Sequence, residues 1–301
     1  MTASPAASAA TAAPILHGLD HVVVAVRDLE AAVATYRTLL GRAPAWRAEA
    51  HGGGAVIATF ALANVAVELM APSGAGAVAE RLTALLDAQG EGLASLAFAT
   101  ADVDRAHRRL ARLGLEPEPI AEGVSVHAET GARRPWRRTR AATVRTHGVR
   151  LFVMQQPPLP PSSRLGAEPA AVSGLDHVVV RTPDPERATA LYGARLALDM
   201  RLDRSNEAWG ARLLFFRCGD LIVELAHDLG AGVGAGPDRL WGLSWRVPDA
   251  EATRARLAAA ELDVSEVRAG RKPGTRVLTL RDGTCGVPTL LLERGPAAGP
   301  D

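Results

Sequence analysis

One heptapeptide occurs twice in this chain, and it constrains the architecture more than any other feature. The sequence GLDHVVV occupies residues 18–24 and returns at residues 174–180, 156 positions later. A second repeat, VEL, follows each copy at residues 67–69 and 223–225 with the same offset. Two unrelated domains would not be expected to share this spacing. We therefore infer a duplicated unit in which one His and one Glu hold fixed places.

The His and the Glu of each half are predicted to lie on strands. His21 begins an apolar run with β-branched residues, and Glu68 lies within the apolar stretch Asn64–Met70. His177 and Glu224 occupy the matching places in the second half. A carboxylate in an apolar strand is costly to bury unless it has a partner or faces a wet cavity. Glu68 and Glu224 are therefore the strongest candidates for functional residues.

Composition narrows the class of protein. The chain has 301 residues, enough for two domains of ordinary size, and its 34 basic and 33 acidic residues nearly cancel. This balance argues against nucleic acid or a membrane as partner, and no apolar run is long enough to span a bilayer. Cys218 and Cys285 fit a reducing compartment better than a disulfide framework. We expect a cytoplasmic globular protein with a small-molecule partner.

The chain divides into four units of strand, helix and three strands, two units in each half. Residues 1–14 are rich in Ala, Ser and Thr and are predicted to be a disordered tail. The Pro/Ser-rich segment 156–173 breaks every period and is predicted to link a domain at 15–155 to a domain at 174–295. In the second unit, strands are predicted near 115–121, 139–146 and 149–154. An arginine-rich loop is expected between the first two of these strands.

These residues resemble the vicinal oxygen chelate superfamily, which includes glyoxalase I, methylmalonyl-CoA epimerase, extradiol dioxygenases and bleomycin-resistance proteins. The resemblance rests on residues 19–29 (LDHVVVAVRDL), 67–72 (VELMAP) and 90–93 (GEGL), and it covers residues 18–154 and 174–294. It implies an α+β fold of four tandem βαβββ modules. The modules would form two curled, mostly antiparallel sheet domains of the glyoxalase type, each enclosing a cup.

The resemblance also implies metal ligands. In the metal-using members, each unit supplies a His or Gln from its first strand and a Glu or Gln from its fourth. His21 with Glu68 and His177 with Glu224 match this pattern, which implies a divalent Zn, Ni, Co, Mn or Fe ion. The even-numbered units depart from the pattern and carry other residue types at these places: Ser95, Phe152, Gly242 and Leu290.

Two arrangements of the units remain open. If the first and third units face each other, His21, Glu68, His177 and Glu224 form one four-ligand metal site. If neighbouring units pair, each cup holds only two donors, and two donors bind a transition metal weakly. We favour pairing of neighbours, in which case each His and Glu are hydrogen-bonded partners in a metal-free cup.

Two classes of function follow from the resemblance. The first is a metal-dependent lyase, isomerase or epimerase acting beside a carbonyl, in which Glu68 or Glu224 moves a proton. The second is a metal-free protein of the bleomycin-resistance kind that binds or sequesters a small molecule. In either class the expected ligand is a small organic molecule, such as a carboxylate or a CoA or thiol conjugate. A homodimer is an open alternative to a monomer.

Three further residues are candidates for ligand binding. Arginines surround Trp136 in the second unit and recur in the fourth, where they can clamp a carboxylate or a phosphate. From these clusters we select Arg137 and Arg271. Trp209 is the candidate for the floor of an aromatic-lined pocket. The alternative interpretation is that both arginine clusters are solvated hairpins.

Overall fold

The computed structural model describes residues 15–159 and 168–295. The predicted tail at 1–14 and residues 160–167 of the predicted linker lie outside this range. Among the remaining linker residues, Leu159, Ala171 and Val172 are buried, whereas others such as Pro157 and Pro158 are exposed. At least these flanks of the segment are therefore part of the folded structure.

The first half contains two units in sequence. The first unit and the helix that follows it are β1 (Gly18–Ala25), α1 (Leu29–Leu40), β2 (Trp46–Glu49), β3 (Ala55–Ala61), β4 (Ala66–Pro72) and α2 (Ala77–Gln89). The second unit is β5 (Gly92–Ala99), α3 (Val103–Arg112), β6 (Ala121–Val126), β7 (Arg133–Arg140) and β8 (Leu151–Gln155).

The second half repeats this order without a counterpart of α2. Its first unit is β9 (Gly174–Arg181), α4 (Pro185–Thr189) continuing as a π-helical segment (Ala190–Arg195), β10 (Asp199–Asn206), β11 (Ala211–Cys218) and β12 (Leu221–Asp228). Its second unit is β13 (Arg239–Val247), α5 (Ala250–Ala259), β14 (Arg268–Ala269), β15 (Thr275–Leu280) and β16 (Thr289–Arg294).

Four helices, α1, α3, α4 and α5, begin after an Asp that caps them, whereas α2 follows Gly76 and has no side-chain cap. Asp28 precedes α1, and its carboxylate accepts a hydrogen bond from the backbone N–H of Ala31. Asp184 caps α4 in the same way through Arg187. Gly41 ends α1 in the left-handed conformation, with φ of 66°, which a glycine adopts without steric cost.

The two units of each half form one eight-stranded sheet. In the first half the strand order is β2-β3-β4-β1-β5-β8-β7-β6, and the second half repeats it as β10-β11-β12-β9-β13-β16-β15-β14. The first and fourth strands of each unit are parallel, and the other pairings are antiparallel. The predicted α+β class with two mostly antiparallel sheets is confirmed. Neighbouring units pair, as favoured above.

Strand alternation separates a core face from a cup face. On β1, Val22 and Val24 are completely buried, and they belong to one apolar cluster that also contains Val178 and Val180 of β9. His21 and Val23, which alternate with them along the strand, point to the opposite, concave face. The convex faces of both sheets, with their helices, therefore share a single hydrophobic core.

The two halves also exchange equivalent polar contacts. The side chain of Asn64, in the β3–β4 turn, donates to the carbonyl of Leu175 at 2.8 Å and accepts from its N–H at 2.9 Å. In the opposite direction, the β11–β12 turn at Gly219 lies against the backbone of His17 and Gly18. These reciprocal contacts place each turn at the start of the other half's first strand.

Two of the strands predicted for the second unit, near 115–121 and 139–146, were wrong, whereas the strand near 149–154 corresponds to β8. The arginine-rich segment, expected to be a loop, is strand β7 (Arg133–Arg140), whereas residues 115–120 form no strand. The reason is that β7 has no apolar face to reveal it: of its side chains only Trp136 and Thr139 are buried. An alternation of arginine with other polar residues looks like a solvated loop in the sequence.

We predict that Asn64→Ala destabilises the protein by about 1–3 kcal/mol, because it leaves the N–H and C=O of Leu175 without their partners. The free energy of unfolding from urea denaturation measures this loss. Gln89→Ala, an exposed change at the end of α2, serves as control and should shift stability by less than about 0.5 kcal/mol. Equal stability of the two variants would contradict the bridging role of Asn64.

Candidate ligand-binding site

His21 is held by its neighbour in the sequence. The register of the β1–β5 pairing shifts between Leu19 and His21. Neighbouring side chains of a regular strand point to opposite faces, but at this irregularity the side chains of Asp20 and His21 are in contact. Nδ1 of His21 lies 2.7 Å from Oδ1 of Asp20. The side-chain amide of Gln156 donates to the same carboxylate oxygen at 2.6 Å. The imidazole is thereby oriented with its other edge toward the concave face.

The charges around His21 favour its protonated form. Burial alone would lower the pKa of His21, but the hydrogen bond to Asp20 and the charges of Glu68 and Asp20 outweigh it and raise the pKa above 6.5. Burial would likewise raise the pKa of Asp20, but the contact with His21 prevails and lowers it. Asp20 and His21 therefore each favour the charged form of the other.

A cavity of about 210 Å³ opens on the concave face of the first sheet. His21 and Glu68 both line it, as expected from their adjacent strands. Three aromatic side chains, Trp46, Trp136 and Phe152, form much of its apolar wall. The predicted sheet-lined cup therefore exists in the first half.

Strand β7 supplies two arginines to this cavity. Arg134 and Arg138 line it on either side of Trp136, because residues two apart share a face of a strand. Arg150, immediately before β8, also lines it. Sequence reasoning missed these three as individual site residues. The spacing of two between Arg134, Trp136 and Arg138 indicates a shared face, but only once the segment is known to be a strand.

The predicted ligand-binding residue Arg137 does not line the cavity. It lies on the other face of β7, where it pairs with Asp104 of α3 at 2.6 Å and contacts Glu122 at 3.6 Å. This position follows from its odd offset relative to Trp136. The arginines that reach the cavity are its neighbours on the strand.

The cavity arginines are poorly neutralised. Within residues 15–159 and 168–295, the side chains of Arg138 and Arg150 make no hydrogen bond or ion pair, and Arg134 donates from Nε to the carbonyl of Pro157 at 2.8 Å. The guanidinium carbon of Arg138 lies 5.1 Å from the ring centroid of Trp136 and 5.3 Å from that of Phe152. All three arginines are half-buried, and this burial lowers the pKa of their guanidinium groups.

The residues of this cup do not fit a divalent metal. Register places Ser95 and Glu68 on either side of Val23, and Phe152 opposite Ala97. The lining contains the potential donors His21, Glu49, His51 and Glu68, but no three such side chains among the described residues are grouped so that they could hold an ion. The arginines of the wall oppose a cation further.

The second cup has a different polar arrangement. His177 uses both ring nitrogens: Nδ1 lies 3.0 Å from Asp176, and Nε2 lies 2.7 Å from Ser244 and 3.5 Å from Glu224. Burial raises the pKa of Glu224, although the charges of His177 and Arg271 oppose this shift. The residue at the place of Ser244 in the first half is Ala97, which pairs with His21. The polar groups of the second cup are thus largely satisfied by one another.

Trp209 and Arg271 meet at the edge of the second cup. The guanidinium carbon of Arg271 lies 4.3 Å from the Trp209 ring centroid, and that of Arg204 lies 5.0 Å away. Trp209 is 36% exposed. The indole is therefore in contact with two cations at the surface.

The four predicted metal ligands are not brought together. His21 and Glu68 belong to the first sheet, whereas His177 and Glu224 belong to the second. Within the described part of the chain, no three His, Cys, Asp or Glu side chains are grouped so that they could hold a metal ion. Within one chain, the four residues therefore do not form a shared site.

Two curled sheets of paired βαβββ units, one of them enclosing a polar cup, define a tandem vicinal oxygen chelate architecture. The family comparison agrees: residues 19–197 match the glyoxalase-like domain. Residues 176–279 match the glyoxalase/bleomycin resistance protein/dioxygenase superfamily. The chain belongs to the glyoxalase-like family.

Solved structures share the whole architecture at low sequence identity. A mutant of 4-hydroxymandelate synthase from Streptomyces coelicolor superposes with a TM-score of 0.70 and 16% identity, covering 94% of each chain. A Mn(II)-bound glyoxalase from Novosphingobium aromaticivorans gives 0.60 and 14%, covering 93% of this chain and 83% of that one. These likenesses show the fold alone. No curated protein matched, and none of the described helices is long and apolar enough to cross a membrane.

We predict that His21 titrates above its ordinary pKa and that Asp20→Asn brings the pKa below that value, because burial then acts with less opposition. The ion pair of the wild type stabilises the fold below pH 6.5, and this contribution is lost as pH rises through the raised pKa. An NMR titration of the imidazole protons measures the shift. Asp104→Asn, on the outer face, is the control and should leave the titration of His21 unchanged.

Proposed function

We propose that the first half binds a small organic anion in the cavity of its sheet and that it does so without a metal ion. The main support is the excess of arginine over carboxylate in the cavity wall, which is lined by Arg81, Arg134, Arg138 and Arg150 but only by Glu49 and Glu68 among acidic residues. A half-buried cation is unfavourable unless an opposite charge compensates it. Arg138 and Arg150 make no direct ion pair with a described residue, and Glu118, the acidic group that acts on both, is engaged by Arg140. An anionic ligand is therefore the complement of this wall.

The walls of the cavity indicate what the anion is attached to. The Arg138 guanidinium lies close to the rings of both Trp136 and Phe152, and a flat apolar group can stack against such rings. The volume of about 210 Å³ is below the roughly 300–1,000 Å³ of pockets for drug-sized ligands. An aromatic or similarly compact carboxylate therefore fits the site better than a CoA conjugate, whose nucleotide needs more room.

The first cup suits this role better than the second. In the second cup Ser244, Asp176 and Glu224 surround the His177 imidazole, and Trp209 occupies the face of Arg271. In the first cup the corresponding His21 is paired only with Asp20 within the described residues. Ligand binding is therefore assigned to the first half, and the second half supports it through the shared core.

Proton transfer by Glu68 is a second candidate function. Glu68 lines the cavity, and its side chain makes no hydrogen bond or direct ion pair with a described residue, although its charge acts on His21, Arg134 and Arg138. A carboxylate beside a bound carbonyl compound can remove a proton from the adjacent carbon. Charged His21 and the arginines would then stabilise the enolate oxygen electrostatically. This would be isomerase, epimerase or lyase chemistry carried by the chain's own side chains.

We predict that benzoate binds to the wild type and that Arg138→Ala weakens this binding by roughly 10- to 150-fold, since a charge-assisted hydrogen bond contributes about 1.5–3 kcal/mol. Isothermal titration calorimetry measures the dissociation constant. Arg137→Ala is the matched control, because it removes the same charge from the next residue on the opposite face. Equal weakening in both variants would show only a general electrostatic effect.

The proton-transfer candidate predicts that the protein accelerates deuterium incorporation into the methyl group of 4-acetylbenzoate. Glu68→Gln should lower that rate by about 10²- to 10⁴-fold, the usual contribution of a general base. Proton NMR in D₂O follows the loss of the methyl signal. If the probe binds but exchanges no faster than in buffer, the site is a binding site without this chemistry.

A further inference from the structure

A serine, a histidine and an aspartate are joined by hydrogen bonds in the second cup. Oγ of Ser244 lies 2.7 Å from Nε2 of His177, and Nδ1 of the same imidazole lies 3.0 Å from Oδ2 of Asp176. A nucleophilic serine, its general base and the carboxylate that orients the base are connected through the same atoms. The first cup lacks the serine, because Ala97 lies opposite His21 there.

Asp176 determines which nitrogen of the imidazole can accept a proton. Burial alone would raise the pKa of Asp176, but the hydrogen bond to His177 and the contact with Arg294 outweigh it and lower that pKa. An ionised carboxylate only accepts hydrogen bonds, so Nδ1 of His177 carries a proton and donates it to Asp176. In the neutral imidazole Nε2 is then an acceptor, and the hydroxyl of Ser244 donates to it.

Glu224 is a second neighbour of Nε2, but its contact is weaker. Its Oε2 lies 3.5 Å from this nitrogen, whereas the 2.7 Å separation from Ser244 is that of a good hydrogen bond. Burial raises the pKa of Glu224, which disfavours the ionised carboxylate that would hold a proton on Nε2. Ser244 is therefore the hydrogen-bond partner of Nε2.

The concave face of the second sheet is open on the side of its edge strand β10. In the first half the β6–β7 hairpin covers the matching strand β2: the Trp46 indole donates to Oγ of Ser125 at 2.8 Å, and the N–H of Ala128 donates to the carbonyl of Arg47 at 2.7 Å. In the second half β14 has two residues, and nearly all of β10 is exposed. A small molecule can therefore approach this face from the β10 side.

The neighbours of the three groups on this face are apolar. Register places Leu290 beside Ser244 and Ile222 beside His177, and both apolar side chains are half-buried. Phe215, which lies beside Glu224, is also half-buried. Ser244 itself is 3% exposed, and the side chain of His177 is 16% exposed. The surroundings suit a compact apolar group next to the serine.

From this geometry we propose that the second half is an acyl-transfer site for esters or thioesters of apolar carboxylic acids. Oγ of Ser244 attacks the carbonyl carbon while its proton passes to Nε2 of His177. The C–O or C–S bond then breaks, the leaving alcohol or thiol takes that proton, and the acyl group stays on Ser244. Water releases the carboxylic acid by the same proton route. Arg271, whose charge acts on Glu224, is the candidate to stabilise the oxyanion.

The test is covalent labelling of the full chain with diisopropyl fluorophosphate, in which a serine oxygen displaces fluoride from phosphorus. We expect the intact mass to rise by one adduct and peptide mass spectrometry to locate it on Ser244. Ser244→Ala should abolish the label and keep the fold, because Ala97 occupies the equivalent place in the first sheet. Ser205→Ala, an exposed change on β10, is the matched control and should be labelled like the wild type.

A second variant tests the base. His177→Gln should slow the labelling by about 10²- to 10⁴-fold, the usual contribution of a general base. Release of p-nitrophenol from p-nitrophenyl butyrate should exceed the buffer rate in the wild type and fall to that rate in Ser244→Ala. Circular dichroism and the thermal midpoint verify that each variant is folded.

Several results would overturn the acyl-transfer site. These are the absence of an adduct on Ser244, labelling that is equally fast in His177→Gln, and ester hydrolysis that persists in Ser244→Ala. None of them bears on the first cup, because benzoate binding and its loss in Arg138→Ala are measured independently.

Discussion

The antiparallel pairing of β1 with β5 is the contact on which the site depends. This pairing joins the first two units edge to edge, so that His21 and Glu68 of one unit share a concave face with Ser95 and Phe152 of the next. Backbone hydrogen bonds fix which side chains lie opposite one another. The two units that pair therefore determine which potential metal ligands each cup contains. A partner unit without His or Glu at these places leaves a cup poorly suited to a cation.

Much of the fold could be predicted from the sequence because the repeated motifs align the two halves residue by residue. The common offset located β1, β4, β9 and β12, and period-two alternation placed His21 and Val23 on the face opposite Val22 and Val24. The caps Asp28 and Asp184 located two helix starts within a residue. These signals are local, so they survive without knowledge of the tertiary structure.

The part of the site formed by β7 could not be predicted in the same way. Its cavity face consists of Arg134, Trp136 and Arg138, so the strand lacks the apolar alternation by which strands are recognised. The selection of Arg137 failed to reach the cavity for this reason: without a strand assignment there is no way to decide which arginine faces inward. The functional difference between Ala97 and Ser244 could not be predicted either, because it depends on which residues lie opposite His21 and His177 in the sheet.

The common core of the two halves bears on how such a chain could have arisen. Val22 and Val178 lie in one apolar cluster, and each half places a turn against the first strand of the other. A half-length chain would expose that core, and two copies related by a twofold axis could bury it again. The internal repeat is thus equivalent to a symmetric dimer whose subunits became covalently joined. Once joined, the copies were free to diverge. In the second cup Ser244 is hydrogen-bonded to His177, whereas the first cup has an open cavity beside His21.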